Sequence, residues 1–151
     1  MAMLPFCGYN MADYFQHWLD MGIKGGATDS DSGGMPKIFY VNWFRRAEDG
    51  HWLWPGFGEN CRVLKWVCER CDNEGDVVET PIGLLPTHDA IDRTGLDVPD
   101  EDMTELLRVD LDEWQQKIAL FREHFAQFGD KLPAELSKQL DALEERLNAA
   151  K

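Results

Sequence analysis

Apolar side chains recur at steps of three and four through the last third of the chain, and this spacing predicts two consecutive amphipathic helices. The first run ends at Gly129, and Pro133 lies near the first turn of the second. The two runs consist of Trp114, Ile118, Phe121, Phe125 and Phe128, then Leu132, Leu136, Leu140, Leu143 and Leu147. Joined by Gly-Asp-Lys, they predict an αα-hairpin packed on a core. A coiled-coil dimer is the alternative, but each run spans only about two heptads, which favours packing within one chain.

Several shorter elements are predicted before this helical part. They are a helix over 10–22 that ends at Gly22, a hairpin made of a mostly buried strand at 37–44 and a returning strand at 51–54, a helix from about 60 to 71, and a strand over 77–85. On the helix from 60 to 71, the predicted buried side consists of Val63, Leu64, Val67, Cys68 and Cys71. The Gly- and Ser-rich residues 24–35 predict a flexible loop.

The order of these elements predicts an α+β fold for residues 1–151, taken as a single segment, with a helical tail over 101–151. The hydrophobic content of 44% is enough for a sizeable core and argues against disorder.

Charge is distributed unevenly, and this limits the classes of partner. Residues 1–72 hold nine acidic and seven basic side chains, whereas residues 73–151 hold nineteen and eight. Because no basic stripe could neutralise a run of phosphates, we expect no nucleic-acid partner. No apolar run approaches a membrane span and no secretory signal is evident, so we expect no membrane partner, reduced cysteines and a cytoplasmic location.

Three small constellations suggest chemistry but favour simpler interpretations. The Cys68-x-x-Cys71 pair is typical of zinc or redox sites, yet the other two cysteines supply no matching pair, so small buried hydrophobes are favoured. His88-Asp89 has no nucleophile nearby and is favoured as an ordinary loop pair. The acidic run over 97–113 lacks the glycine and spacing of a calcium loop, which favours a solvated face.

An aromatic stretch between Phe44 and Asn60 is the strongest candidate site. Counted from Asn42, the sixteen residues up to Phe57 include five aromatic ones, and the Gly-flanked turn around Phe57 then opens a helix. Aromatic faces stack on planar bases, and the Asn60 amide offers one acceptor and two donors to a base edge. The alternative is an aromatic hairpin core with Asn60 as the N-cap of its helix. Composition alone favours this alternative.

Longer sequence strings change that balance. They are Pro5-Phe6-Cys7-Gly8-Tyr9-Asn10, Pro36-Lys37-Ile38-Phe39-Tyr40-Val41-Asn42-Trp43-Phe44-Arg45, Trp54-Pro55-Gly56-Phe57-Gly58-Glu59-Asn60 with Arg62-Val63-Leu64, and Thr80-Pro81-Ile82-Gly83. In this order they closely resemble the C-terminal part of GTP-dependent phosphoenolpyruvate carboxykinases. The resemblance is strongest over residues 3–86. It implies that the chain is the C-terminal portion of a mixed α/β nucleotide-binding domain.

The resemblance also implies a function. The family interconverts oxaloacetate and phosphoenolpyruvate, with GTP as phosphoryl donor, release of carbon dioxide, and manganese or magnesium as metal. Its guanine pocket falls on Phe44, Trp52, Phe57, Gly58, Glu59 and Asn60 of this chain. The amide at the position of Asn60 reads the guanine edge. The family often has phenylalanine at the position of Trp52, and serine is expected at that of Cys61.

The family's catalytic groups have no counterpart in this sequence. No G-x-x-x-x-G-K-[ST] phosphate loop and no G-x-S-x-G motif occurs. In the family, the phosphate loop, the metal ligands and the mobile lid all precede the matching segment. We therefore expect a fragment that is inactive alone, whose partners are GTP or GDP and the remainder of a monomeric parent enzyme. An autonomous nucleotide- or protein-binding module without catalysis, and a dimerising helical protein built on residues 103–151, are the alternatives.

Overall fold

The computed structural model describes residues 6–26 and 34–151 of the protein. Most of the loop predicted over 24–35 falls outside these ranges, because residues 27–33 are not described. No helix within the described ranges has both the length and the apolar character that crossing a membrane requires.

The described residues form five α-helices and one two-stranded antiparallel sheet. The elements are α1 (Met11–Lys24), α2 (Asn60–Cys71), β1 (Val77–Thr80), β2 (Gly83–Pro86), α3 (Asp100–Leu107), α4 (Leu111–Ala126) and α5 (Ala134–Ala149). This content confirms the predicted α+β class and the helices at the C-terminal end.

The chain divides into two compact units. The first comprises Met1–Lys37 and Asp110–Lys151, and the second comprises Ile38–Val109. It stays a prediction that residues 1–151 form a single segment of one domain, with 101–151 as its helical tail.

In the first unit, α1 begins at Asn10, whose side chain makes two hydrogen bonds. Its Oδ1 accepts from the backbone N–H of Ala12 at 2.9 Å, which satisfies one of the free donors at the start of the helix. Its Nδ2 donates to the carbonyl oxygen of Phe128 at 3.1 Å. Met11, Ala12 and Phe128 are buried together, and the Phe15 ring meets the Phe128 ring edge-on at 5.3 Å. The Asn10 side chain thus caps the start of α1 and ties this helix to the residues that follow α4.

Helix α1 is longer than predicted. The predicted end at Gly22 is wrong, because the helix continues to Lys24 and the backbone N–H of Gly25 donates to the carbonyl of Met21 at 2.9 Å. A glycine inside a helix costs only about 1 kcal/mol relative to alanine. Gly22 alone therefore does not end a helix whose apolar face continues to pack.

The predicted αα-hairpin of α4 and α5 is present. Its buried side chains come from the predicted apolar runs, namely Ile118, Leu140 and Leu147. A short 3₁₀ turn over Gly129–Lys131 joins the helices, and Gly129 has the positive φ of 59° that favours glycine. Across the pair, Arg122 donates to Asp141 at 2.9 Å and to Glu144 at 2.6 Å. These exposed ion pairs contribute little stability, but they match the polar edges of the two helices.

The core of the second unit is built on two tryptophans. Its buried members are Trp54, Trp66, Ile91 and Met103. Helix α2 has the predicted bounds, and the predicted Val63 and Val67 pack partly buried against this core. The prediction is wrong for Leu64, Cys68 and Cys71, which are exposed, and Trp66 is buried instead. Trp66 has the largest apolar area on this helix and its Nε1 donates to the carbonyl of Asp76 at 3.1 Å, so it determines which side of α2 packs.

The prediction of a buried strand over 37–44 is wrong. These residues form no strand, and Ile38, Tyr40 and Phe44 are exposed. Instead of a regular hairpin with 51–54, a single antiparallel bridge joins Arg46 to Trp52. Residues with strand propensity form a strand only when a neighbouring strand accepts and donates their backbone hydrogen bonds, and the described part of the chain supplies none here.

The strand predicted over 77–85 is two strands. Val77 pairs with Pro86 and Thr80 with Gly83, so β1 and β2 form a tight antiparallel hairpin around Pro81 and Ile82. Gly83 has a φ of 129°, and the Thr80 hydroxyl donates to the Gly83 carbonyl at 2.6 Å. The Pro-x-Gly sequence therefore reverses the chain where an unbroken strand was expected.

We expect the Asn10 side chain to stabilise the first unit through both of its hydrogen bonds. Asn10→Ala removes the cap and the bond to Phe128 and should lower the free energy of unfolding by about 2 kcal/mol. Asn10→Ser keeps a capping oxygen and should lose about 1 kcal/mol or less. Urea unfolding followed by circular dichroism measures both. Equal losses in the two variants would show that the cap contributes nothing.

Candidate functional site

All six residues predicted to form the guanine pocket lie in the second unit, and the structure brings two of the aromatic rings together. The turn from Ala47 to Gly50 folds the chain back, with the Ala47 N–H donating to the His51 carbonyl at 3.0 Å. This places the Phe44 and Trp52 rings 6.2 Å apart at an angle of 65°. Phe44 is nevertheless 75% exposed. The two rings form an open aromatic corner and not a core.

Phe57 lies at the start of a 3₁₀ turn over Phe57–Glu59 and is 96% exposed. In the described part of the chain its ring contacts no other aromatic ring, so the structure does not bring it onto Phe44 or Trp52. Its φ is 48°, in the left-handed region that a bulky side chain enters only at a cost of order 1–3 kcal/mol. Gly56 before it has a φ of 76°. The backbone is thus bent sharply to present Phe57 to solvent.

Gly58 and Glu59 complete this turn in different ways. A Cβ atom added at Gly58 would meet nothing within 4 Å, so the space above its backbone is open to a ligand. The Glu59 carboxylate instead accepts from Nε of Arg62 at 2.5 Å. The Arg62 guanidinium also donates to the carbonyls of Asp92 at 2.8 Å and Thr94 at 3.1 Å. Glu59 therefore holds the turn in place through Arg62.

Asn60 is the first residue of α2, and Glu59 occupies the N-cap position without a side-chain cap. The alternative that Asn60 is simply the N-cap is therefore wrong. Its Oδ1 accepts from Nε1 of the buried Trp54 at 3.0 Å. Among the described residues, no acceptor faces the amide NH₂ group of Asn60. Two donors are thus held beside the turn that carries Phe57.

Several supporting residues were not predicted from the sequence. Arg45 donates to the Leu106 carbonyl and to the Glu105 carboxylate, each at 2.9 Å, and so ties the aromatic corner to α3. Arg46 places its guanidinium carbon 3.8 Å from the centre of the Trp52 ring, a cation–π contact that covers one indole face. The ion pair between Glu59 and Arg62 does have a signal in the sequence, because a glutamate and an arginine three residues apart can meet on a helical turn. The pairs with α3 span about sixty residues and leave no such signal.

His51 links the same turn to α3. Its Nδ1 lies 2.6 Å from Asp49 and its Nε2 lies 3.1 Å from Asp102. The hydrogen bond to Asp102, followed by that to Asp49, raises the pKa of His51 above its usual value. In turn the backbone N–H and the ring of His51 lower the pKa of Asp49. The contact is thus strongest with a protonated imidazole between two carboxylates.

The described residues contain no group of three or more His, Cys, Asp or Glu side chains that could hold a metal ion. Cys61, Cys68 and Cys71 are exposed free thiols, so the interpretation of the Cys68–Cys71 pair as small buried hydrophobes is wrong. A shallow cavity of about 300 Å³ lies in the first unit, between residues such as Phe125 and Leu140, and contains none of the predicted site residues.

The chain is similar to known proteins over nearly its whole length. Residues 1–146 match the model of the phosphoenolpyruvate carboxykinase C-terminal P-loop domain. A phosphoenolpyruvate carboxykinase [GTP] from Neocallimastix frontalis is 51% identical over 150 residues, which are 99% of this chain and 24% of that protein. The enzyme of the same name from an Arthrobacter species is 48% identical over 97% of this chain and 23% of its own length. That from Treponema pallidum subsp. pallidum is 47% identical over 99% of this chain and 24% of its own length.

These matches define first a class, the C-terminal P-loop domain of phosphoenolpyruvate carboxykinases. The chain belongs to the family of GTP-dependent phosphoenolpyruvate carboxykinases, as the resemblance of its motifs predicted. It spans about a quarter of the length of the curated relatives that it matches.

We expect the contact of His51 with α3 to depend on pH. Since the folded pKa is raised above the usual value of 6.5, the stability from this contact is fully present below about pH 6.5 and is lost as pH rises through the raised pKa. Asp102→Asn should return the pKa of His51 towards its usual value. NMR titration of the His51 ring in both proteins measures the change. An unchanged titration in Asp102→Asn would mean that the contact does not form in solution.

Proposed function

We propose that Phe44, Trp52, Phe57, Gly58, Glu59 and Asn60 form the guanine pocket of a GTP-dependent phosphoenolpyruvate carboxykinase. The observation that carries this proposal is Phe57: a large apolar ring, 96% exposed, held in a strained backbone conformation. Strain and exposure both cost free energy, and such costs persist at sites where a ligand uses them. Membership in the family supports guanine as that ligand.

The geometry supports stacking on one side of the pocket and hydrogen bonding on the other. Phe57 and Phe44 both offer ring faces to solvent, and stacking on an aromatic ring contributes about 1–3 kcal/mol per base at nucleic-acid sites. Trp52, with one face covered by Arg46, forms a third wall through its remaining surface. The NH₂ group of Asn60 supplies donors for an acceptor on the base edge. The open backbone at Gly58 allows the base to approach closely.

In this proposal the whole enzyme interconverts oxaloacetate and GTP with phosphoenolpyruvate, GDP and carbon dioxide. The described residues hold no cluster fit for manganese or magnesium, and in this proposal the metal ligands belong to the remainder of the protein. The residues that hold the phosphates are assigned there too, in a cytoplasmic, monomeric enzyme. The segment 1–151 selects the nucleotide, and the chemistry takes place on other residues.

The same assignment predicts how the chain behaves by itself. Stacking alone gives little affinity, because phosphate contacts usually contribute much of the binding of a nucleotide. We expect dissociation constants near 1 mM or weaker, about 4 kcal/mol of binding, with GTP favoured over ATP and no carboxykinase activity. Titration followed by tryptophan fluorescence reports on the site through Trp52. Tight binding of either nucleotide would favour the alternative of an autonomous binding module.

Two equally exposed aromatic residues give a matched test in the full-length protein that contains this chain. Phe57→Ala should raise the KM for GTP roughly 5- to 150-fold, the range that 1–3 kcal/mol of stacking corresponds to. Tyr40→Ala removes a ring that is likewise 96% exposed but lies outside the proposed pocket, and it should leave this KM unchanged. Within this chain neither ring is buried, so neither substitution opens a cavity in its core. The proposal is wrong if both variants bind GTP as tightly as the original protein does.

A further inference from the structure

We infer that Trp54 is a positioning residue for purine selection: its indole N–H fixes the orientation of the Asn60 amide, so that Asn60 accepts 6-oxopurines and rejects 6-aminopurines. This inference rests on the proposed guanine pocket and deepens it. Trp54 itself belongs to the core and is not one of the six proposed pocket residues.

The orientation of the Asn60 amide follows from the chemistry of its partner. An indole has one polar group, an N–H that can only donate. Nε1 of Trp54 lies 3.0 Å from the Asn60 side chain, so the amide oxygen must face the indole and the NH₂ group must face away. A flipped amide would place two donors against each other. Trp54 is only 7% exposed, so no water is at hand to compensate for its unmade bond.

The outward NH₂ group belongs to the residue that directly follows the turn carrying Phe57. Phe57 opens this 3₁₀ turn, and Asn60 comes three positions later as the first residue of α2. In the proposed pocket, a base stacked on Phe57 presents its edge to the amide donors of Asn60.

Only one class of purine edge matches these donors at position 6. Guanine carries an acceptor oxygen there, and hypoxanthine shares it, whereas adenine carries an amino donor. A 6-aminopurine would leave donors facing donors, with neither group paired. Without the indole N–H, the amide of Asn60 could rotate by half a turn and offer its oxygen to an amino group. The selection would then be lost although Asn60 is still present.

The chain offers a matched control for removing this N–H. Trp54→Phe keeps an aromatic ring in the core and deletes the donor. Trp66→Phe makes the same change at a second tryptophan that is also 7% exposed, belongs to the same core and donates to the Asp76 carbonyl at 3.1 Å. The Trp66 indole does not contact Asn60. General weakening of the core should thus affect both variants, whereas loss of amide orientation should affect only Trp54→Phe.

The experiment measures dissociation constants of GTP, ITP and ATP for the full-length protein and for the two variants. Trp54→Phe should lower the preference for GTP over ATP by roughly tenfold, which corresponds to about 1.4 kcal/mol. It should leave the ratio of GTP to ITP unchanged, since both bases carry the 6-oxo group. Trp66→Phe should keep both ratios. An unchanged preference for GTP over ATP in Trp54→Phe, or an equal loss in Trp66→Phe, would overturn the inference.

A second variant tests the orientation without altering the core, in case Trp54→Phe fails to fold. In Asn60→Asp, one carboxylate oxygen accepts from Trp54 and the other faces the base as an acceptor. The preference should then shift from GTP towards ATP, and retention of the full preference for GTP would contradict the inference.

Failure of the proposed function has a different signature. If the unaltered protein binds GTP and ATP equally, the guanine pocket itself is wrong and the inference falls with it. If the unaltered protein prefers GTP, and Asn60→Ala loses that preference while Trp54→Phe keeps it, the pocket stands and only the role of Trp54 is wrong.

Discussion

The second unit depends on burying two indoles without leaving their polar groups unpaired. Trp54 and Trp66 supply most of the apolar volume of a small core, and each N–H finds an oxygen, on Asn60 and on Asp76 respectively. An unpaired N–H in either place would cost about 1–3 kcal/mol, a large part of the stability of a domain this size. Asn60 belongs to the candidate site, whereas Asp76 directly precedes β1. Core and site therefore share the hydrogen bond between Trp54 and Asn60.

This arrangement explains why neighbouring aromatic residues differ in burial. Leu53 and Trp54 turn inwards to the core, whereas Trp52 remains at the surface beside Phe44. Because Trp54 and Trp66 occupy this core, Phe44 and Phe57 are not packed inside it, and their ring faces stay exposed. The ion pairs from Arg45 and Arg62 hold the backbone on either side of these rings, so the surface is shaped before any ligand arrives.

The sequence predicts this fold best where local spacing decides the outcome. The bounds of α2 and the hairpin of α4 and α5 follow from helical periodicity and from Gly129, which are local signals. Residues 37–44 have strand propensity, but a strand depends on a neighbour that propensity does not specify. The buried side of α2 was predicted only in part: Val63 and Val67 pack on the core as expected, but one large residue, Trp66, is buried in place of Leu64 and the cysteines. Motif resemblance identified the family, whereas the contacts of Arg45 and His51 with α3 join distant residues and are visible only in the folded chain.

The contacts of the site's basic residues also change the meaning of the chain's acidity. Arg45 is engaged by Glu105, Arg62 by Glu59, His51 by Asp49 and Asp102, and Arg46 lies on an indole. The basic side chains around the aromatic stretch are thus engaged by other groups of the same chain. The groups that remain for a ligand are the ring faces and the neutral amide of Asn60. Such a surface suits the uncharged end of a nucleotide, as the proposed guanine pocket requires. Added salt should consequently loosen the framework that supports the base while leaving the attraction between protein and base almost unaltered.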